Sequence, residues 1–227
     1  MNGEALLSSQ YRRLILKQAH DFYRYPSDYL DISWLQDDPH RGIIESLRDK
    51  KVSRKHVSDY ILQIYGLSPM MDCTFEHAHQ RFCLLISESL QRLVCLAGAL
   101  VYSAMVPRRA EDVGLSPDLH RFAVTKAPFL AKKPPEYCID QPVSDWSSKK
   151  AVEQGICSAG LNMLACALSD VPPSVYRRLV LKFPQPLGTF CEQAFQKEVP
   201  PESVQETRRL ILKLYREVDS SCSLLFD

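Results

Sequence analysis

Cys73, His77, His79 and Cys83 are the residues of this chain that could ligate a metal within a short span. Thiolate and imidazole are the usual zinc donors. On one α-helix, however, Cys73 and His77 share a face and so do His79 and Cys83, while His77 and His79 point about 160° apart. Four ligands converge only if the segment breaks, so ordinary polar and packing roles are expected and no metal ligand is assigned. Cysteine–histidine catalysis depends on partners that meet in the fold, and no local signature for it surrounds any of the eight cysteines. A phosphate-binding glycine loop, GxSxG, HExxH, paired CxxC and calcium loops are all missing. The residues therefore suggest no catalytic group and no cofactor, and the chain reads as a non-enzyme.

Two stretches could bind a partner instead. Arg48-Asp49-Lys50-Lys51 followed by Arg54-Lys55-His56 is the one local charge run. It is either a basic docking patch for an acidic surface or the solvated ends of two helices. The stretch from Asp21 to Leu35 carries Tyr23, Tyr25, Tyr29 and Trp34. Tyrosine and tryptophan are favoured interface anchors, and they equally often pack on a core. Nucleic acid is not expected as a partner: the formal net charge is +1 and no stacking pattern accompanies the basic run.

The elements that must position these residues are helical. Eight glycines, fifteen prolines and a single Asn-Gly pair, Asn2-Gly3 ahead of the first helical pattern, leave few tight hairpins, and the prolines fall between helical patterns. The strongest pattern is Leu84 to Val106, whose only charges are Glu88 and Arg92. A helix apolar on every side must be covered on every side. The uncharged run from Leu93 to Val106 rises only about 21 Å, short of the roughly 20 residues needed to cross a bilayer. It predicts a buried central helix over 72–107, capped by Asp72 or Thr74 and stopped by Pro107. Leu90, Leu93, Val94, Cys95, Gly98, Leu100 and Val101 are its core positions.

Around it, a first helix is predicted from Glu4 to His20, an irregular aromatic segment to Pro39, and a short helix from Gly42 to Lys50. Ser53 is placed to cap a helix that ends before Gly66. Ala110 to Ser144 holds five prolines and reads as short helices and loop, with Ser116-Pro117 as a helix start. From Asp145 the pattern returns, with Ile156, Leu161, Leu164 and Leu168 lining a second apolar helix. Further helices follow at 174–183, 186–199 and from Pro201. The expectation is a single all-α domain over 1–227: an N-terminal helical portion (1–66), the central helix, and C-terminal helices (145–227). With no signal peptide in view, a cytoplasmic protein without membrane insertion is expected, its cysteines mostly reduced.

Several blocks, in order, resemble the YscK/MxiK/OrgA family, the SctK accessory proteins of bacterial type III secretion. They are Pro26-Ser27-Asp28-Tyr29-Leu30 with Trp34-Leu35, Leu93 to Gly98 followed by Arg108-Arg109, and Gly160-Leu161. Arg178 to Pro184 and the terminal Ser221 to Phe226 complete the set. Pro107 and the proline-rich 110–144 segment depart from the pattern. The resemblance implies a non-enzymatic adaptor of the cytoplasmic sorting platform, at the cytoplasmic face of a Gram-negative inner membrane. It would link the cytoplasmic domain of the SctD-type ring protein to the SctQ-type pod protein, and through the pod reach the stator and ATPase. A secretion chaperone is a competing reading, disfavoured by the near-neutral charge and scarce strand patterns. A Cys/His or metal-dependent helical enzyme is a third.

Overall fold

The computed structural model describes residues 3–106, 108, 115–130, 138, 143, 145–218 and 225–226, with the side chains of 3–10 and 218 excepted. Among the described residues every regular element is helical and no strand forms. The α-helices are α1 (Gly3–Arg24), α2 (Arg41–Leu47), α3 (Arg54–Ile64), α4 (Ser87–Val101), α5 (Pro117–Thr125), α6 (Ala127–Leu130), α7 (Lys149–Ala167), α8 (Pro173–Val180), α9 (Gln185–Phe195) and α10 (Pro201–Val218). Short 3₁₀ turns run over Pro26–Asp28, Ile32–Leu35 and Ala78–Leu84. The chain divides into two compact units. One comprises 1–87, 170–189 and 221–227; the other comprises 88–169 and 190–220.

In the first unit, Leu30, Leu35, Ile44, Val57, Ile61, Leu62, Leu67 and Leu181 form one apolar cluster, edged by Tyr29, Trp34 and Tyr65. Helix α1 runs a turn past the predicted end at His20, which carries Phe22 and Tyr23 into the core. Helix α3 closes on Gly66 at φ +59°, with the Leu67 N–H donating to the Leu62 carbonyl at 2.8 Å. This left-handed stop suits glycine, as the sequence predicts. The predicted Ser53 cap is not made. Its hydroxyl donates backwards to the Leu47 carbonyl at 2.7 Å and closes the turn between α2 and α3.

The continuous helix predicted from 72 to 107 is also not formed. Residues 71–76 are irregular, Phe75 is buried at φ +54°, and a 3₁₀ turn precedes Ser87. A phenylalanine tolerates the left-handed region only when its surroundings hold it there. Its ring meets Phe22 and Tyr23 edge-on, at 6.1 and 6.3 Å.

The second unit is built around α4 and α7, which cross in direct backbone contact. A Cβ added at Gly98 would lie 1.8 Å from the Ile156 carbonyl oxygen, and one at Gly160 would lie 1.9 Å from that of Val94. Only glycine fits at either position. Leu90, Leu93, Val94, Gly98, Leu100 and Val101 are buried, as are Leu161, Leu164 and Leu168; Cys95, expected in the core, is only half-buried. Helix α10 packs along α7, and its Val204, Thr207, Ile211 and Leu214 are buried. Arg208 donates from Nε to the Ala167 carbonyl at 2.8 Å, which caps the end of α7. Ser116 caps α5 through the Leu119 N–H with Pro117 in the first turn, as predicted.

Candidate interaction surface

The basic run lies where α2 gives way to α3. The turn closed by Ser53 over the Leu47 carbonyl pushes residues 49–52 outward. Lys50, Lys51 and Lys55 are exposed. Val52 between them is 92% exposed, and Ile43 on α2 is 58% exposed. Exposed apolar residues thus accompany the exposed lysines in this segment. A cleft of about 320 Å³ beside it is lined by Ser27, Asp28, Arg48, Asp49, Lys50, Lys51 and Arg54.

The cations are not equivalent. Arg54 is committed within the protein: its Nε lies 3.0 and 3.1 Å from the two Asp28 carboxylate oxygens, and its guanidinium sits 3.8 Å over the Tyr25 ring. The Asp28 hydrogen bonds raise its pKa above the usual arginine value. Arg48 is half-buried and 4.0 Å from Asp49. Lys50, Lys51 and Lys55 therefore carry the charge this face can offer to another molecule.

The aromatic residues separate in the same way. Tyr23 is fully buried and so cannot anchor a partner, contrary to expectation; its hydroxyl donates to Asp72 at 2.5 Å. Tyr25 lies under Arg54. Tyr29 donates to the Phe22 carbonyl at 2.9 Å and stacks on that ring. Trp34 is half-buried, donates from Nε1 to the Phe183 carbonyl at 2.8 Å, and packs on Gly188, where a Cβ would come within 2.4 Å of the indole. These rings mainly hold the first unit together.

The four metal-ligand candidates do not converge on one point. Because the segment breaks, His77 and His79 are not splayed as on an α-helix; their rings stack 5.6 Å apart. His79 is buried against Asp170, with Nε2 at 3.0 and 3.1 Å from its carboxylate oxygens. Among the described residues no group of three potential donors could hold an ion.

Two buried cations escaped sequence reasoning. Arg178 on α8 is fully buried, donates to the carbonyls of Ser174 (2.8 Å) and Ser68, and lies 4.6 Å over the Tyr23 ring. Asp72 faces the same ring and accepts Ser174 Oγ at 2.5 and 2.6 Å. Burial pushes the Asp72 carboxyl up, but hydrogen bonds from Ser174 and Tyr23 outweigh it and leave the pKa below the ordinary value. Lys182 is buried with Nζ donating to the carbonyls of Cys83 (2.7 Å) and Leu85 (2.6 Å), 4.9 and 5.1 Å from the Phe22 and Tyr29 rings. It closes the carbonyl end of the 78–84 turn. Basic residues inside a helical pattern carry no sequence mark that distinguishes these buried roles from exposed ones. Both networks tie elements of the first unit together.

No helix among the described residues is long and apolar enough to cross a membrane. Among curated proteins none is similar enough in sequence to match. The fold is that of a solved structure, the cytoplasmic domain of the type III secretion sorting platform protein PscK from P. aeruginosa. The likeness covers 90% of this chain and 96% of that one, with a TM-score of 0.55 at 17% identity. The profile of the family described as YOP proteins translocation protein K (YscK) matches residues 16–227. The chain therefore belongs to the YscK family.

Proposed function

We propose that this protein is a non-enzymatic adaptor of the type III secretion sorting platform, joining the cytoplasmic domain of the inner-membrane ring protein to the C-ring-like pod protein. Family membership over nearly the whole chain carries the reading, and a fold shared with a sorting-platform protein supports it. The mechanism is geometric: a helical body presents separate surfaces and couples two assemblies without chemistry of its own. It works at the cytoplasmic face of the inner membrane and reaches the stator and ATPase through the pod.

One of those surfaces is the face formed by Ile43, Val52, Lys50, Lys51 and Lys55. Its exposed lysines suit an acidic partner surface, with Ile43 and Val52 available for apolar contact, and the charges act mainly on association rate and salt dependence. The test is binding of the purified protein to the ring and pod proteins, together with secretion from a deletion strain. The reading expects both partners to be captured and secretion to be lost; wild-type secretion in the deletion strain would overturn it. The triple variant Lys50→Glu, Lys51→Glu, Lys55→Glu should weaken one contact and leave the thermal midpoint unchanged. Arg54 is left intact, since its loss would release Asp28 and Tyr25.

A further inference from the structure

The crossing of α4 and α7 carries a second feature, independent of the adaptor reading. Each helix presents the same four-residue pattern to the other: Cys95-Leu96-Ala97-Gly98 on α4 and Cys157-Ser158-Ala159-Gly160 on α7. The match is reciprocal in space. Gly98 meets the carbonyl of Ile156, the residue before Cys157, and Gly160 meets the carbonyl of Val94, the residue before Cys95. Both cysteines therefore sit inside the closest approach of the two helices, and their sulfur atoms are 3.8 Å apart. That is van der Waals contact between thiols, about 1.8 Å longer than a disulfide bond of ~2.05 Å.

These thiols also differ from the other described cysteines. Cys73, Cys83, Cys138, Cys166 and Cys191 are buried, whereas Cys95 and Cys157 are half-buried. Cys95 lines an open cleft of about 470 Å³ whose wall includes the cations Arg92, Arg121 and Lys126 and the carboxylate Asp118. The Cys157 thiol lies within hydrogen-bond reach of the Cys95 sulfur; this favours the Cys95 thiolate and lowers its pKa, while the Cys157 pKa is raised. Burial by contrast pushes the Cys191 thiol up to about 12. Thiolate character and access together select the cysteine that reacts.

We propose that Cys95 and Cys157 form an oxidisable dithiol, with Cys95 the attacking and Cys157 the resolving thiol, that closes to a disulfide stapling α4 to α7 in the presence of hydrogen peroxide. The Cys95 thiolate attacks one peroxide oxygen, the O–O bond breaks, and hydroxide leaves, giving a sulfenic acid at Cys95. The Cys157 sulfur then attacks the Cys95 sulfur. The S–S bond forms, the S–O bond breaks, and the departing hydroxyl leaves as water with the Cys157 proton. Two thiols are oxidised by two electrons and one peroxide is reduced to two waters. A dithiol reductant such as dithiothreitol reverses the change.

The test uses the full-length reduced protein, treated under native conditions with a stoichiometric amount of hydrogen peroxide. Intact mass spectrometry should show one product lighter by two hydrogens, and a non-reducing peptide map should join the peptides containing Cys95 and Cys157. The thermal midpoint of the oxidised protein should rise and return on reduction. Cys157→Ser should instead accumulate the sulfenic acid at Cys95, trapped by dimedone, with no rise in midpoint. A map that joins any other pair, Cys222 included, overturns the proposal. So does retention of both thiols, and so does trapping at a cysteine other than Cys95. The mapping on the wild-type protein stands even if a serine variant fails to fold.

Discussion

Lys182 gives the sharpest quantitative expectation. Its ammonium is buried in the first unit against two carbonyls and two aromatic rings. Desolvation is the dominant influence and draws its pKa from 10.5 down to about 7. The unfolded chain keeps that proton up to the ordinary lysine value, so between pH 7 and 10.5 the unfolded state binds more protons than the folded one. Stability must then rise with pH through this window. At 1.36 kcal/mol per pKa unit, the charged lysine costs the fold on the order of 5 kcal/mol well below pH 7. That cost fades as pH climbs, by about 2 kcal/mol between pH 7 and 8.5.

Lys182→Met removes the titration and keeps most of the volume, but it strands the Cys83 and Leu85 carbonyls at about 1–3 kcal/mol each. Gain and loss nearly cancel at pH 7, so the variant should fold with stability within about 2 kcal/mol of wild type there. The informative quantity is the pH dependence of the difference. Urea unfolding at constant ionic strength, followed by the fluorescence of Trp34 in the same unit, gives it directly. Wild type should gain about 2 kcal/mol on the variant from pH 7 to 8.5. Other groups cancel in the difference, including the buried thiols whose raised pKa values erode stability above pH 9. A flat difference would refute the reasoning, because it would mean that the carbonyls and ring faces hold the lysine charged throughout.

The remaining expectations concern the crossing and its core. Gly98→Ala and Gly160→Ala each drive a methyl into a backbone carbonyl and should cost about 3 kcal/mol or more, at the upper end for overpacking. Gly42→Ala on α2 meets nothing within 4 Å and should be neutral or stabilising by up to about 1 kcal/mol; equal thermal shifts for all three would show that close approach is not what fixes these glycines. Leu93→Asp places an unpaired carboxylate at a buried position and should abolish cooperative unfolding by circular dichroism. Val52→Ser, at a fully solvated position, should leave stability within about 0.5 kcal/mol and reduce partner binding; undiminished binding would remove Val52 from the docking face.

How much of this was legible in the sequence depends on whether the governing contact was local. Gly66 after α3 and Ser116-Pro117 before α5 state their structure through neighbouring residues and match it; the apolar run from Leu93 does so only in part, since its helix ends at Val101 and Ala104 and Met105 are exposed. The break at 72–86 was not legible, because what holds Phe75 at positive φ is a set of rings and hydrogen bonds from α1 and α8, about 50 and 100 positions away. Tyr23 is left open in the sequence for the same reason: a partner-anchoring tyrosine and a buried one look alike until Asp72 is seen beneath the hydroxyl. The basic run was legible as charge, but only the fold separates Arg54, spent on Asp28, from the lysines that remain available.

The two CxAG patterns extend the point. Four residues recurring 62 positions apart are too short to register as a repeat, and each reads alone as a packing helix face. Their meaning lies in the crossing, where each glycine makes room for the backbone beside the opposite cysteine. Contact as close as this leaves the helices little freedom to slide, so the sulfurs are held near one another before any oxidation occurs. Closure then needs only side-chain rotation and a small backbone adjustment. Widening the crossing with Gly160→Ala should therefore slow peroxide-driven closure of Cys95 to Cys157 more than it slows sulfenic acid formation at Cys95. Stopped-flow peroxide consumption compared with the rate of cross-link formation separates the two steps. Equal slowing of both would show that the glycines govern access to Cys95 and not the approach of the two thiols.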